Sequence, residues 1–229
     1  MCFSAEASFV SSAVLTIGGI ATLKQVRETT DLPFACFPLI FALHQFVEGC
    51  IWLIQGYSSP PWLEAALASI FPLIAYSLWA TLVPYAIYRM ENHVVRKKLL
   101  KICLVVGIGV SVFFLYYIVK GPVSVKIINN SIQYDFYFSF FVLSQWAYGF
   151  AIILAAMISS HKIINLFGLG LVVTYNVGKI FYAATYPSVF CFLAAWLSLI
   201  IFLHVKYGRQ LQHVVTEKAV GRSYEKTAL

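Results

Sequence analysis

The stretch that decides the fold is KLLKICLVVGIGVSVFFLYYIV, residues 98–119. Its charges, Lys98 and Lys101, sit at the start, and about 20 mainly apolar residues are enough for a helix to cross the hydrocarbon layer of a bilayer. Similar windows recur on both sides, at residues 4–23, 33–54, 63–88, 136–159, 163–183 and 187–205. The expectation is an all-α polytopic membrane protein: a domain of seven transmembrane helices over residues 1–205, then a basic tail over 206–229. The connections are too short to hold a soluble domain, so whatever the chain does is done inside or at the faces of the bundle.

Composition agrees. Of 229 residues 61% are hydrophobic and 11% charged, with a mean hydropathy of +0.83. A soluble domain covers its surface with about 25% charged residues, so soluble enzymes, DNA-binding modules and secreted disulfide scaffolds are excluded. The net charge of +7 reads as orientation, because Lys and Arg are retained on the cytoplasmic side. Lys24, Arg27, Arg89, Arg96, Lys97, Lys98, Lys101, Lys162, Lys206, Arg209, Lys218, Arg222 and Lys226 fall on one side of the seven spans. Lys120 and Lys126 fall on the other, and Lys179 lies within the sixth span. This predicts an amino terminus outside and a cytoplasmic carboxyl terminus, with the cell (inner) membrane as location. The first basic residue, Lys24, follows the first apolar stretch, so that stretch reads as a retained helix and not as a signal peptide. The partners expected are the lipid bilayer and, at the basic side, anionic head groups; nucleic acid is not expected.

Polar residues inside the spans are the functional candidates, since an ionisable group there costs on the order of 2.5–3.5 kcal/mol even on insertion scales. In the second span Gln45, Glu48, Trp52 and Gln55 fall on one helical face, with His44 one turn before Glu48. In the sixth span Tyr175, Lys179, Tyr182 and Tyr186 form another, with Asn176 alongside. Glu48 and Lys179 come at similar depth. Glu6 of the first span and Gln145 of the fifth complete an expected outward-facing ligand pocket of Glu6, His44, Gln45, Glu48, Trp52, Gln145, Tyr175, Lys179 and Tyr182. The alternative for Glu48 and Lys179 is an ion pair that fixes helix register and nothing more. Ser4, Ser8, Ser11 and Ser12 form a small-residue stripe suited to close helix packing. Tyr57, Trp62, Tyr116, Tyr117 and Tyr186 read as interface anchors, and His93, His161, His204 and His213 as solvated or lipid-facing groups. Among the cysteines no Cys-x-x-Cys pair occurs. Cys2 and Cys191 both come near outer helix ends, where a disulfide is sterically open to them; packing fillers are the other reading.

The opening Met1-Cys2-Phe3-Ser4-Ala5-Glu6-Ala7-Ser8-Phe9 resembles that of an uncharacterised family of multispanning membrane proteins that begin MCFSAxASF. Gln45-Phe46-Val47-Glu48-Gly49 with Trp52, and Ser188-Val189-Phe190-Cys191-Phe192 followed by Ala194-Ala195, are similar to the same family. The resemblance supplies no activity. It implies that Cys2, Glu6, Gln45, Glu48, Trp52 and Cys191 are family features.

Two mechanistic comparisons remain. Alkaline ceramidase-like membrane hydrolases share this orientation but hold zinc with several His plus Asp and Ser, whereas His44 is the one mid-span His here. A set of Cys2, His44, Glu48 and Cys191 would be a different metal site, and zinc needs three or four donors at fixed geometry. Small sugar transporters with parallel three-helix repeats offer a weak match of residues 63–71 to 193–198, without their Pro-Gln motif. Small-solute or ion transport or binding is the reading favoured by buried charges on separate helices. A membrane-embedded, metal-dependent hydrolase acting on a lipid or small amphiphile is the alternative, and a purely structural or signalling role the third. The sequence leaves cofactor and metal undefined.

Overall fold

A computed structural model describes residues 4–56 and 59–207. Cys2, Tyr57, His213 and the basic tail beyond Tyr207 lie outside the described residues. Seven helices are long and apolar enough to cross a membrane: α1 (Ala5–Leu23), α2 (Leu32–Gln55), α3 (Pro61–Met90), α4 (Val94–Lys120), α5 (Phe141–Ile158), α6 (Lys162–Phe181) and α7 (Tyr186–Tyr207). Ser4 starts α1 as a side-chain cap, its Oγ accepting from the Ala7 amide at 3.2 Å. Pro33 and Pro61 occupy first-turn positions, where a missing amide costs nothing.

The α1–α2, α3–α4 and α5–α6 connections, rich in Lys and Arg, meet at one end, through Glu91 on Ser160, Arg96 on Ser159 and the rings of Phe34 and His161 on His204; this is the basic end, and a β-hairpin marks the other. There the α4–α5 connection is not a plain loop. Strands β1 (Ser124–Ile128) and β2 (Ser131–Asp135) pair antiparallel, with Ser124 opposite Asp135 and Ile128 opposite Ser131. Asn129 and Asn130 turn the hairpin with φ of 48° and 53°, the left-handed pair that a two-residue type I′ turn requires. The described residues are therefore mainly helical with one hairpin, and α5 starts at Phe141, after irregular residues 136–140, rather than at residue 136.

Burial is greatest in α2, α7 and α3 and lower in α1, α4, α5 and α6, so the first three form the centre. Phe34, Phe37, Trp79, Ile87, Leu100 and Phe167 fill the basic half of the core. Val47, Ile51, Phe71, Phe114, Ile132 and Tyr134 fill the hairpin half. Between lipid-covered helices the hydrophobic effect adds little, and close backbone approach with polar cross-links does the work. Gly107 of α4 shows this: a Cβ there would overlap the Ala80 carbonyl oxygen of α3. Beside it the Ser77 hydroxyl donates to the Ser111 carbonyl at 2.9 Å, the Ser111 hydroxyl returns to the Ser77 carbonyl, and Thr81 meets Ser111 at 2.6 Å. On α1, Ser8, Ser11 and Ser12 are buried, and the Ser12 hydroxyl donates to the Ala42 carbonyl of α2 at 2.8 Å.

Two spans lose α-helical regularity. In α3, residues Leu73–Leu78 form a π segment directly after Pro72, which lacks an amide to donate. In α5, Phe150–Leu154 form another after Gly149. At the basic end, wholly buried Glu91 clasps two connections: it accepts from the Ser160 amide at 2.7 Å, the Ser160 hydroxyl at 2.9 Å and the His93 amide at 2.9 Å. Burial works against its charge, but these donors and nearby His161 outweigh it and hold the carboxyl below the usual glutamate range. The last carbonyls of α5 are met by Arg96, donating to Ser159 at 2.9 Å, and by Asn165, donating to Ala156 at 2.8 Å. His204 departs from the expectation of a lipid-facing residue. It is buried, with its ring 5.7 Å from that of Phe34 and 5.3 Å from that of His161, because its face of α7 turns into the basic half of the core.

Candidate functional site

The polar face of α2 points inward, and His44, Gln45 and Glu48 are wholly buried. Gln45 Nε2 donates to Glu48 Oε2 at 3.1 Å, and from α7 the Ser188 hydroxyl donates to Glu48 Oε1 at 2.5 Å. Both carboxylate oxygens are thus engaged. Cys191, one turn beyond Ser188, is buried, forms no disulfide among the described residues, and shares the hairpin half of the core with Val47 and Ile51, which flank Glu48 along α2. His44 lies with its ring 4.3 Å from that of Phe71, and the Phe71 carbonyl is beside it. Among the described residues neither ring nitrogen makes a hydrogen bond of normal geometry. Tyr134 of β2 stacks on the other side of Phe71 at 3.8 Å, within 9° of parallel. The hairpin thus closes the end of the bundle over the buried polar cluster.

Lys179 does not pair with Glu48. Its ammonium sits 3.8 Å from the ring centroid of Tyr186, 5.7 Å from Phe141 and 5.9 Å from Tyr175, a cation held by ring faces. The two charges are separated because α7, not α6, packs against α2. The register-fixing ion pair considered from sequence is therefore not formed.

Next to the buried cluster is a cavity of about 330 Å³, at the low end of the range of about 300–1,000 Å³ for small-molecule sites. Both π segments border it, through Ala75 and Tyr76 of α3 and Ile152 and Ile153 of α5. Tyr175 of α6 and Tyr186, Phe190 and Cys191 of α7 form the facing wall. The lining is mostly apolar, and its polar atoms are few and mutually engaged. Gln145 Nε2 donates to the Tyr186 hydroxyl at 3.0 Å, and the Tyr148 hydroxyl donates to the Ala75 carbonyl at 2.5 Å. Cys191 links the two places, lining the cavity one turn away from Ser188, which bonds Glu48.

The residues expected to share one pocket are therefore distributed. His44, Gln45 and Glu48 are together, and Trp52 lies on the same helix, half-buried against the hairpin half of the core. Gln145 and Tyr175 line the cavity, with Lys179 over the Tyr186 ring. Glu6 is exposed in the first turn of α1 and Tyr182 is half-buried just beyond the end of α6; neither lines the cavity. Tyr186 is a cavity wall and not an interface anchor. Any pairing of Cys2 lies outside the described residues. Among the described residues no three His, Cys, Asp or Glu side chains gather as a metal site. Tyr148 and Trp146 follow Gln145 on the fifth span, where the sequence places polar and aromatic groups, whereas Ser188 and Tyr76 carry no such signal of a site. Ser188 stands in the segment Ser188–Phe192 that resembles the family, while Tyr76 looks like an ordinary core aromatic.

Neither a curated protein nor a solved structure matches the chain. Residues 1–216 match a family of unknown function (DUF6629), which agrees with the uncharacterised family suggested by the opening residues, and the chain belongs to it.

Proposed function

We propose that this is an integral membrane protein, amino terminus outside and carboxyl terminus cytoplasmic, that binds a small, largely apolar molecule between α3, α5, α6 and α7 and serves its transport. The observation that carries the reading is the cavity of about 330 Å³ bordered by two π segments, since such irregular turns recur at functional sites. The orientation is supported by the clustering of Lys24, Arg27, Arg89, Arg96, Lys97, Lys98, Lys101, Lys162 and Lys206 toward one end of the bundle. That end suits anionic head groups. Transport is preferred to hydrolysis because Glu48 uses its two oxygens on Ser188 and Gln45. Such bonding holds a carboxylate in place instead of presenting it to a substrate as a base.

Gly149 supplies the test. It lines the cavity, and a Cβ there would meet nothing within 4 Å, so Gly149→Phe fills the space without a backbone clash. In phosphatidylcholine nanodiscs, dodecanol carrying a diazirine should label Tyr175, Tyr186 or Phe190 on illumination, read by mass spectrometry. Gly149→Phe should abolish that label while the protein stays monodisperse. Labelling scattered over the outer helix faces, or unaffected by Gly149→Phe, would overturn the binding site.

A further inference from the structure

The cavity is not sealed from the side. The Phe141–Gly149 part of α5 touches α6 and α7 only sparsely, and α5 packs firmly on α6 only through its later turns. Two lining residues from this part, Val142 and Trp146, are 64% and 76% exposed. They therefore belong at once to the cavity wall and to the outer apolar flank of the bundle. At the hairpin end of this gap stands Lys179, ringed by Phe141 of α5, Tyr175 of α6 and Tyr186 of α7. Among the described residues no carboxylate comes within ion-pairing distance of it. A cation near a helix end, beside a slot that leads into an apolar cavity, pairs a charge with a greasy compartment.

Resting on the binding role proposed above, we propose that the cavity is entered sideways from the bilayer by a single-chain amphiphile with an anionic head. Its tail occupies the space between Trp146, Ile152, Tyr175 and Phe190, and its head stops at Lys179. The chemistry follows from what each region can satisfy. The apolar lining accepts a hydrocarbon tail. A carboxylate or phosphate head leaves water most easily where an ammonium waits without a carboxylate partner, since charge-assisted contacts are roughly twice as strong as neutral ones. The aromatic rings that now hold Lys179 keep it at the slot in the absence of a ligand. A two-chain lipid does not fit this proposal, because the cavity of about 330 Å³ is at the small end for ligand sites.

Competition against the same diazirine-bearing dodecanol in phosphatidylcholine nanodiscs tests it. Dodecanoate should displace the label at about tenfold lower concentration than dodecylamine, the equivalent of one charge-assisted contact. Lys179→Met should erase that difference while leaving the dodecanol label in place, and Lys179→Arg should keep it. Equal displacement by dodecanoate and dodecylamine would overturn the anionic head. So would a preference that survives Lys179→Met, or displacement by added phosphatidylglycerol as effective as by dodecanoate. Failure of dodecanol itself to label the cavity would instead remove the binding role beneath it.

Discussion

The contact between Ser188 and Glu48 gives a prediction with a magnitude that depends on charge. At 2.5 Å the Ser188 hydroxyl is in the range of a donor to an ionised carboxylate, and Gln45 occupies the other oxygen. A neutral interhelical hydrogen bond in a membrane protein averages about 0.6 kcal/mol, whereas a bond to a charged group contributes about 1.5–3 kcal/mol. Ser188→Ala should therefore cost about 1.5–3 kcal/mol in the otherwise unchanged protein, because it removes a donor from a wholly buried carboxylate. In the Glu48→Gln background, where the bond is neutral, the same substitution should cost about 0.6 kcal/mol. Reversible unfolding in mixed micelles with increasing dodecyl sulfate measures both arms of this cycle. Equal costs in the two backgrounds would show that Glu48 is not held as a charged acceptor, and the charged buried cluster would have to be abandoned.

Three further outcomes are expected. Gly107→Ala places a methyl against the Ala80 carbonyl and should lose about 1–3 kcal/mol or more. Gly109→Ala, with nothing within 4 Å of its Cβ, should be neutral or stabilising; similar losses at both sites would contradict the α3–α4 contact. Asn130→Val puts a β-branched residue at φ 53° and should destabilise the hairpin by about 1–3 kcal/mol, while Asn130→Gly should be tolerated, as read by melting temperature. For Glu91 the folded carboxyl titrates below its unfolded value, so its contribution is complete above the ordinary glutamate pKa of about 4.3 and declines as pH falls through the folded value. Wild type should lose more melting temperature than Glu91→Gln between pH 7 and pH 3; parallel curves would mean that Glu91 is not the group responsible.

The seven spans were legible because a bilayer demands an unbroken apolar run of set length, a constraint that acts on each segment alone. The inward face of α2 was legible for a similar reason: Gln45 and Glu48 share a helical face and are costly against lipid. What lies opposite that face was not legible. Glu48 and Lys179 have opposite signs at comparable depth, yet α7 is interposed, and neighbour relations among helices are not written in the periodicity of any one of them. The cavity was hidden because it depends on two helical irregularities. The traces they leave, Pro72 inside a long span and Gly149 at a π segment, fit a simple kink or a close helix contact equally well. The hairpin did leave a readable signal. Asn129-Asn130 between Val125, Ile127 and Ile132, Tyr134 is a turn doublet between alternating runs, overshadowed by the apolar windows on either side.

The short first half of α7 joins the two parts of the site mechanically. Ser188 and Cys191 are three residues apart and lie on one helical face; the first bonds Glu48, and the second lines the cavity. Tyr186 and Phe190, flanking them, form the cavity wall. A ligand that presses on Phe190 and Cys191 therefore acts on the same turn that holds the Ser188 hydroxyl against Glu48. At Trp196–Leu197 the bonds shorten to three-residue spacing and interrupt the α-helix, so the first half of α7 is a segment of its own. Linkage then imposes a reciprocal requirement: if occupancy weakens the Ser188–Glu48 bond, loss of that bond must strengthen occupancy by the same factor. On that condition Ser188→Ala, which alters no residue lining the cavity, tightens binding of the dodecanol probe. If its affinity were unchanged, the carboxylate would be structural and the cavity would work without it.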